Sequence, residues 1–171
     1  MPDLRQQLSK CLRGRVCLIG LGNEDWGDDG FGLKLARAIH TGSSANVFQG
    51  GTCPDRVLAK MVPGQYDHVV FLDAVDFGGA PGSVVLLDAT EMSSRFPQIS
   101  THKISLGLLA KWVETGSTTK AWLLGVQPAS LRPAAELSAE VRVTLEILEN
   151  LLDEVLEAEP LKQAEELLGV S

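Results

Sequence analysis

Short, nearly continuous apolar runs alternate along this chain with segments whose apolar residues recur every three or four positions. The runs RVCLIG (Arg15–Gly20), NVFQGG (Asn46–Gly51), HVVFLDA (His68–Ala74), GSVVLLDA (Gly82–Ala89) and AWLLGV (Ala121–Val126) read as strands. They are short, rich in β-branched residues and bounded by glycine or acid. Between them, Phe31, Leu33, Leu35, Ala36 and Ile39 outline a helix with a broad apolar face, and further helices are predicted after Pro54 and over about Ser105–Glu114. Leu4, Leu8 and Leu12 outline a short helix at the start. Beyond Pro133, Leu137, Val141, Leu145, Leu148, Leu152 and Leu156 predict a long helix packed on the body. Pro160 is expected to break it, leaving LKQAEELLGVS as a second short helix or a frayed end.

Buried strands alternating with helices imply an α/β fold: a three-layer αβα domain with a twisted, mostly parallel sheet of about five strands. The expected organisation is one domain, with an N-terminal helix over 1–14, a core over 15–158 and an acidic tail over 159–171. Open sheets of this kind bind ligands beyond the carboxyl ends of their strands. Past the first strand lie Gly22, Asn23 and the pair Asp28-Asp29, and past the second lie Gly50, Gly51 and Thr52. Asp73 and Asp76 stand at the end of the third, and the turn GVQP (Gly125–Pro128) follows the last. Carboxylates therefore converge on one rim.

Composition narrows the partners. The net charge of -7 resides in the tail: residues 1–130 hold 12 acidic and 12 basic side chains, residues 131–171 hold 10 and 3. A charge-balanced body with an acidic end offers no footprint for nucleic acid. No apolar run approaches the ~20 residues of a membrane-spanning helix, and no apolar signal-peptide core opens the chain. The three cysteines, Cys11, Cys17 and Cys53, form no C-x-x-C pair, which argues against a disulfide framework or a zinc knuckle. A reducing cytoplasm is the expected compartment. Cys17 reads as core; Cys53 lies in a loop as a thiol of interest.

The stretch GLGNEDWGDDGFG (Gly20–Gly32) poses the chemical question. Gly20 and Gly22 fit a dinucleotide fingerprint, but Asp25 stands where its third glycine belongs, and no Gly-Lys-Ser/Thr ending marks a P-loop. Two adjacent carboxylates would also repel a pyrophosphate. A cation suits the loop better. Asp29 at a helix start, Asp73 at a strand end and His102 in the polar loop ISTHKIS offer three ligands, with open positions for a substrate. Mixed oxygen and nitrogen donors suit borderline divalent metals such as nickel or zinc. Each has a plainer reading. One acid of the Asp28-Asp29 pair is expected to cap the helix. Asp73 closes a strand, Asp76 reads as a turn residue, and His102 alone reads as a loop histidine. His40 follows a helix C-terminus and His68 opens a strand; neither is placed in a site. There is no G-x-S-x-G elbow and no H-E-x-x-H. The residues by themselves thus leave a hydrolase-like or metal-binding α/β domain with a carboxylate-lined rim.

In order along the chain, GLGNEDWGDDGFG, GGTCPD, FLDAVDFGGAPG, ISTHKISL and GVQP resemble the motifs of the nickel–iron hydrogenase maturation endopeptidases. The resemblance spans most of the chain, leaving out the first fourteen residues and the part beyond about Pro160. It implies an aspartyl-type endopeptidase that removes a C-terminal extension from the precursor of the hydrogenase large subunit once nickel has been inserted. It also implies that Asp29, Asp73 and His102 contact nickel, contributed by the precursor, and carry the catalysis. A monomer is expected. Backbone N–H groups around Gly22 and Asn23, near the helix N-terminus, are expected to stabilise an oxyanion. Gln49 departs from the family pattern, in which an acid precedes the Gly-Gly pair. Two alternatives accompany this reading: a nickel-site chaperone that does not cut, and a nucleotide-binding α/β domain.

Overall fold

In the computed structural model, which describes residues 3–40, 42, 45–96 and 104–169, five strands form one sheet. They are β1 (Val16–Leu21), β2 (Ala45–Gly51), β3 (His68–Ala74), β4 (Val84–Asp88) and β5 (Lys120–Val126), in the spatial order β2-β1-β3-β5-β4. The first four positions in that order pair in parallel, and β4 pairs antiparallel with β5. The antiparallel edge follows from the short Gly-Gly-Ala-Pro-Gly connection, because a parallel return requires a crossover of a dozen or more residues. The expected mostly parallel α/β sheet is therefore present.

Successive residues of each central strand point to opposite faces. Leu18, Val70, Leu72 and Leu124 pack under α1 (Leu4–Cys11), α2 (Phe31–Ala38) and α6 (Ala139–Leu168). Ile19, Val69, Phe71 and Leu123 pack under α3 (Pro54–Leu58), α4 (Ala89–Arg95) and α5 (Leu106–Glu114). Both faces of β1, β3 and β5 are covered, so these strands are apolar except near their ends.

Two elements differ from expectation. The helix α4 was not legible as an apolar stripe, yet Asp88 and Glu91 close a reciprocal capping box at its start. That D-x-x-E spacing is the sequence signal for it. The break expected at Pro160 is absent: α6 runs 30 residues without interruption. One missing N–H is a small part of a helix whose Val141, Leu148, Leu152, Val155 and Leu156 are buried. Beyond them Arg13, at the end of α1, pairs with Glu166 at 2.7 Å. No helix of the described residues is long and apolar enough to cross a membrane.

The topology dictates where a ligand would bind. From β1 the chain moves outward to β2, then returns to place β3 on the other side of β1. The order reverses there, so the crevice lies beyond the carboxyl ends of β1 and β3.

Candidate functional site

A sharp turn leaves β1 at this crevice. Gly22 adopts φ +113°, and a Cβ there would lie 1.8 Å from the carbonyl oxygen of Asp29. No residue with a side chain fits. The pairing of β1 with β2 shifts register between Gly20 and Leu21, and the Gly22 N–H donates to Gly51 O at 3.0 Å. A single 3-10 turn, Gly27–Gly30, then leads into α2. At the start of α2, a Cβ on Gly32 would stand 2.0 Å from Leu72 O and 2.4 Å from Leu21 O. The helix start is therefore seated directly on the ends of β3 and β1.

That seating brings Asp29 and Asp73 to the same crevice. Both are buried, as is Asp28. Asp29 accepts the Asn23 N–H on Oδ2 at 2.9 Å, which fixes its carboxylate against the loop leaving β1. Asp73 faces Gly125 across the β3–β5 ladder and accepts the Ala74 N–H on Oδ1 at 2.9 Å. Buried carboxylates are costly without hydrogen bonds, a counter-charge or a metal. His102, the third residue expected in the set, lies outside the described residues.

The adjacent acids Asp28 and Asp29 have separate partners. Asp28 accepts four hydrogen bonds, all from beyond β5: from the N–H of Ala129, Ser130 and Ser138 at 2.8, 3.3 and 2.7 Å, and from the Ser138 hydroxyl at 2.9 Å. It fastens the segment between β5 and α6 to the rim. Neither acid caps α2, whose N-cap is Gly30 without a side-chain bond. The intervening 3-10 turn carries both carboxylates ahead of the helix.

The N–H groups of Gly22 and Asn23 themselves do not meet the oxyanion expectation. The Gly22 N–H is committed to Gly51 O and the Asn23 N–H to Asp29, so both build the loop and neither is offered to a substrate.

Sequence reading missed Gln127, buried at the end of β5 within GVQP. Its Oε1 accepts from the N–H of Phe77 and Gly79, at 2.9 and 3.2 Å. Its Nε2 donates to Asp76 at 3.1 Å, and Asp76 in turn accepts from Gly78. Asp76 is thus the turn residue its sequence suggested. Gln127 holds the loop that follows Asp73, because an uncharged amide both gives and accepts at that spot.

On the other flank Arg37 spans Glu24 and Gln49, donating to Gln49 Oε1 at 3.1 Å. Gln49 thus keeps a hydrogen bond without a charge. Trp26 is about half exposed beside this rim (46%). Burial pushes the thiols of Cys11 and Cys17 up to about 12, so neither is a nucleophile near neutral pH. Cys53 is partly exposed at the start of α3.

Comparison with known proteins places the chain in a family. The family model described as hydrogenase maturation protease matches residues 32–156. The hydrogenase expression/formation protein HoxM of Azotobacter vinelandii is 30% identical over 151 residues, covering 78% of this chain and 72% of HoxM. In two other curated relatives, both hydrogenase expression/formation proteins, the chain spans 40% and 66% of the relative's length. Among solved structures, a NiFe hydrogenase maturation protease HycI from Thermococcus kodakarensis KOD1 superposes with a TM-score of 0.77 at 28% identity, over 88% of this chain and 99% of that one. The hydrogenase maturating endopeptidase HybD from E. coli superposes with a TM-score of 0.69 at 28% identity, over 85% and 91%.

Proposed function

This chain belongs to the hydrogenase maturation protease family, and from that premise we propose that it is an endopeptidase that trims the C-terminus of a hydrogenase large-subunit precursor after nickel insertion. The observation that supports the reading is the pair Asp29 and Asp73, two buried carboxylates at the crevice where the strand order reverses.

Nickel enters as part of the substrate, held by the precursor. Asp29 and Asp73, with His102 as the third ligand, engage it from the enzyme's side. Paired carboxylates in a low-dielectric crevice repel one another, and a divalent cation relieves that repulsion. A nickel-loaded precursor brings that cation and an unloaded one does not, so the loaded state is favoured by charge. The reaction adds water across one peptide bond. The hydroxyl goes to the carbonyl carbon, and a rim carboxylate relays the proton to the departing amine. A metal held there would supply Lewis-acid chemistry, lowering the pKa of bound water or polarising the carbonyl. The exposed Trp26 gives the rim an apolar contact for the precursor.

The test is intact-mass analysis of a precursor, nickel-loaded and nickel-free, incubated with wild type and with Asp29→Ala, Asp73→Ala and His102→Ala. Loss of the C-terminal extension from the loaded precursor alone, abolished in each variant, is the expected result. Cleavage of the unloaded precursor at the same rate would overturn nickel gating. No cleavage of any precursor from the same organism would leave a nickel-holding module that does not cut.

A further inference from the structure

At the opposite end of α2 from the rim, three side chains converge that the proposed reaction does not use. His40 lies two residues past the last turn of α2, and Glu149 and Asp153 lie one turn apart on α6. Each offers a ligand atom, and the three atoms lie within 4.8 Å of one another. We propose that His40, Glu149 and Asp153 form a second divalent-cation site, for a first-row metal of the zinc or nickel class, that ties the end of α2 to α6.

The separation from the rim follows from the helix. Its eight residues rise ~12 Å, beginning beside Asp29 and ending near His40. A cation held here cannot be shared with Asp29 and Asp73.

The local geometry presents the imidazole to the two acids. Asp153 Oδ1 accepts the His40 backbone N–H at 2.8 Å, while Oδ2 lies 3.5 Å from Nδ1. The main chain of His40 is thereby anchored to α6, while its ring remains exposed and accessible to an incoming ion. Two carboxylates and one imidazole, with positions left for water, match the donor preferences of borderline divalent ions; magnesium and calcium favour oxygen alone.

The electrostatics also call for a cation. Glu149 and Asp153 are like charges at i and i+4, which destabilises a helix. The negative end of the α2 dipole points toward the same spot. Residues 131–171, which include α6, carry 10 acidic and 3 basic side chains, so the segment that supplies Glu149 and Asp153 is net negative. A metal ion would satisfy all three at once.

Zinc alone is the probe. Metal-stripped protein carrying Cys53→Ser, to remove the accessible thiol, is dialysed against zinc and compared with the same protein bearing His40→Ala or Glu149→Gln. One ion per chain is expected at this site, its affinity falling by about 100-fold or more when either ligand is lost. An Asp29→Ala, Asp73→Ala protein is expected to keep it. A second measurement needs no variant: in an NMR titration with paramagnetic cobalt, the amides of residues 38–40 and 149–153 broaden ahead of those near Asp29 and Asp73. Unchanged zinc affinity in His40→Ala and Glu149→Gln overturns the proposal. So does zinc lost only with the rim carboxylates, or cobalt broadening confined to the rim.

Discussion

The carboxylate of Asp28 grips Ser138 twice, taking its N–H at 2.7 Å and its hydroxyl at 2.9 Å. Through this contact the turn before α2 holds the entrance to α6, 110 residues away in sequence. Asp29, one residue on, accepts instead from Asn23 in the loop leaving β1. Adjacent acids of the same type thus have different tasks, one building the rim and the other standing in it.

That division predicts opposite phenotypes. Asp28→Ala removes four hydrogen bonds and leaves three backbone N–H groups without their acceptor, at about 1–3 kcal/mol for each group that stays buried. Ala129 and Ser130 are exposed and Ser138 is half-buried, so water takes over part of the loss, and a destabilisation of about 1–3 kcal/mol in urea denaturation is expected. Asp29→Ala takes away, among its other contacts, the acceptor of the Asn23 N–H, and is expected to unfold at denaturant concentrations nearer wild type than Asp28→Ala while failing to cleave. Equal destabilisation in the two variants would refute the division of labour.

Gln127 supports Asp73 indirectly. Gln127→Ala frees the N–H groups of Phe77 and Gly79 together, and amide hydrogen exchange at those two positions is expected to rise while β3 itself stays protected. With the loop loosened, cleavage is expected to slow through kcat. Gln127→Glu is the sharper test, because a carboxylate cannot donate to Asp76 and would repel it. It is expected to be worse than the isosteric change suggests.

The seating of α2 can be tested at Gly32. A methyl group there would meet two backbone carbonyls at 2.0 and 2.4 Å, neither of which can rotate away. Gly32→Ala is expected to lower stability by several kcal/mol, near the upper range for a point change. If it still folds, cleavage should fall in parallel as Asp29 is lifted off the strand ends. A variant with wild-type melting temperature and activity would mean that the helix start has room to move.

Much of this was legible because strands and turns obey local rules. The apolar runs gave β1 to β5 within a residue or two, and the reversal of strand order explains why acids after β1 and β3 meet. Asp29 and Asp73 could be singled out as rim residues on that basis. What local pattern could not supply were long-range partners. Nothing in the dipeptide Asp28-Asp29 tells which acid faces Ser138, because that depends on how the segment after β5 folds back. The Gly22 and Asn23 N–H groups looked available for the same reason: their acceptors, Gly51 and Asp29, are brought in by pairing and by the turn. The helix continues through Pro160, and beyond it Glu166 meets Arg13, a partner that lies 153 residues away and so could not be read from the local pattern.

A final prediction concerns pH, and it lies away from the rim. Burial lowers the pKa of His68 at the start of β3, with the negative charges of Asp67 and Glu159 opposing the shift in part. Trp122 donates its indole N–H to His68 Nδ1 at 3.1 Å, which requires the ring to be neutral with its proton on Nε2. Folding therefore favours the unprotonated ring. The unfolded chain binds a proton at about pH 6.5, before the folded one does, so stability is full above that value and falls as pH drops from it toward the lower folded pKa. An NMR titration of the His68 ring should show a midpoint below about 6.5. Trp122→Phe removes the donor without removing the aromatic contact, and should raise that midpoint and cost about 1 kcal/mol at neutral pH. A midpoint unchanged in Trp122→Phe would assign the whole shift to burial.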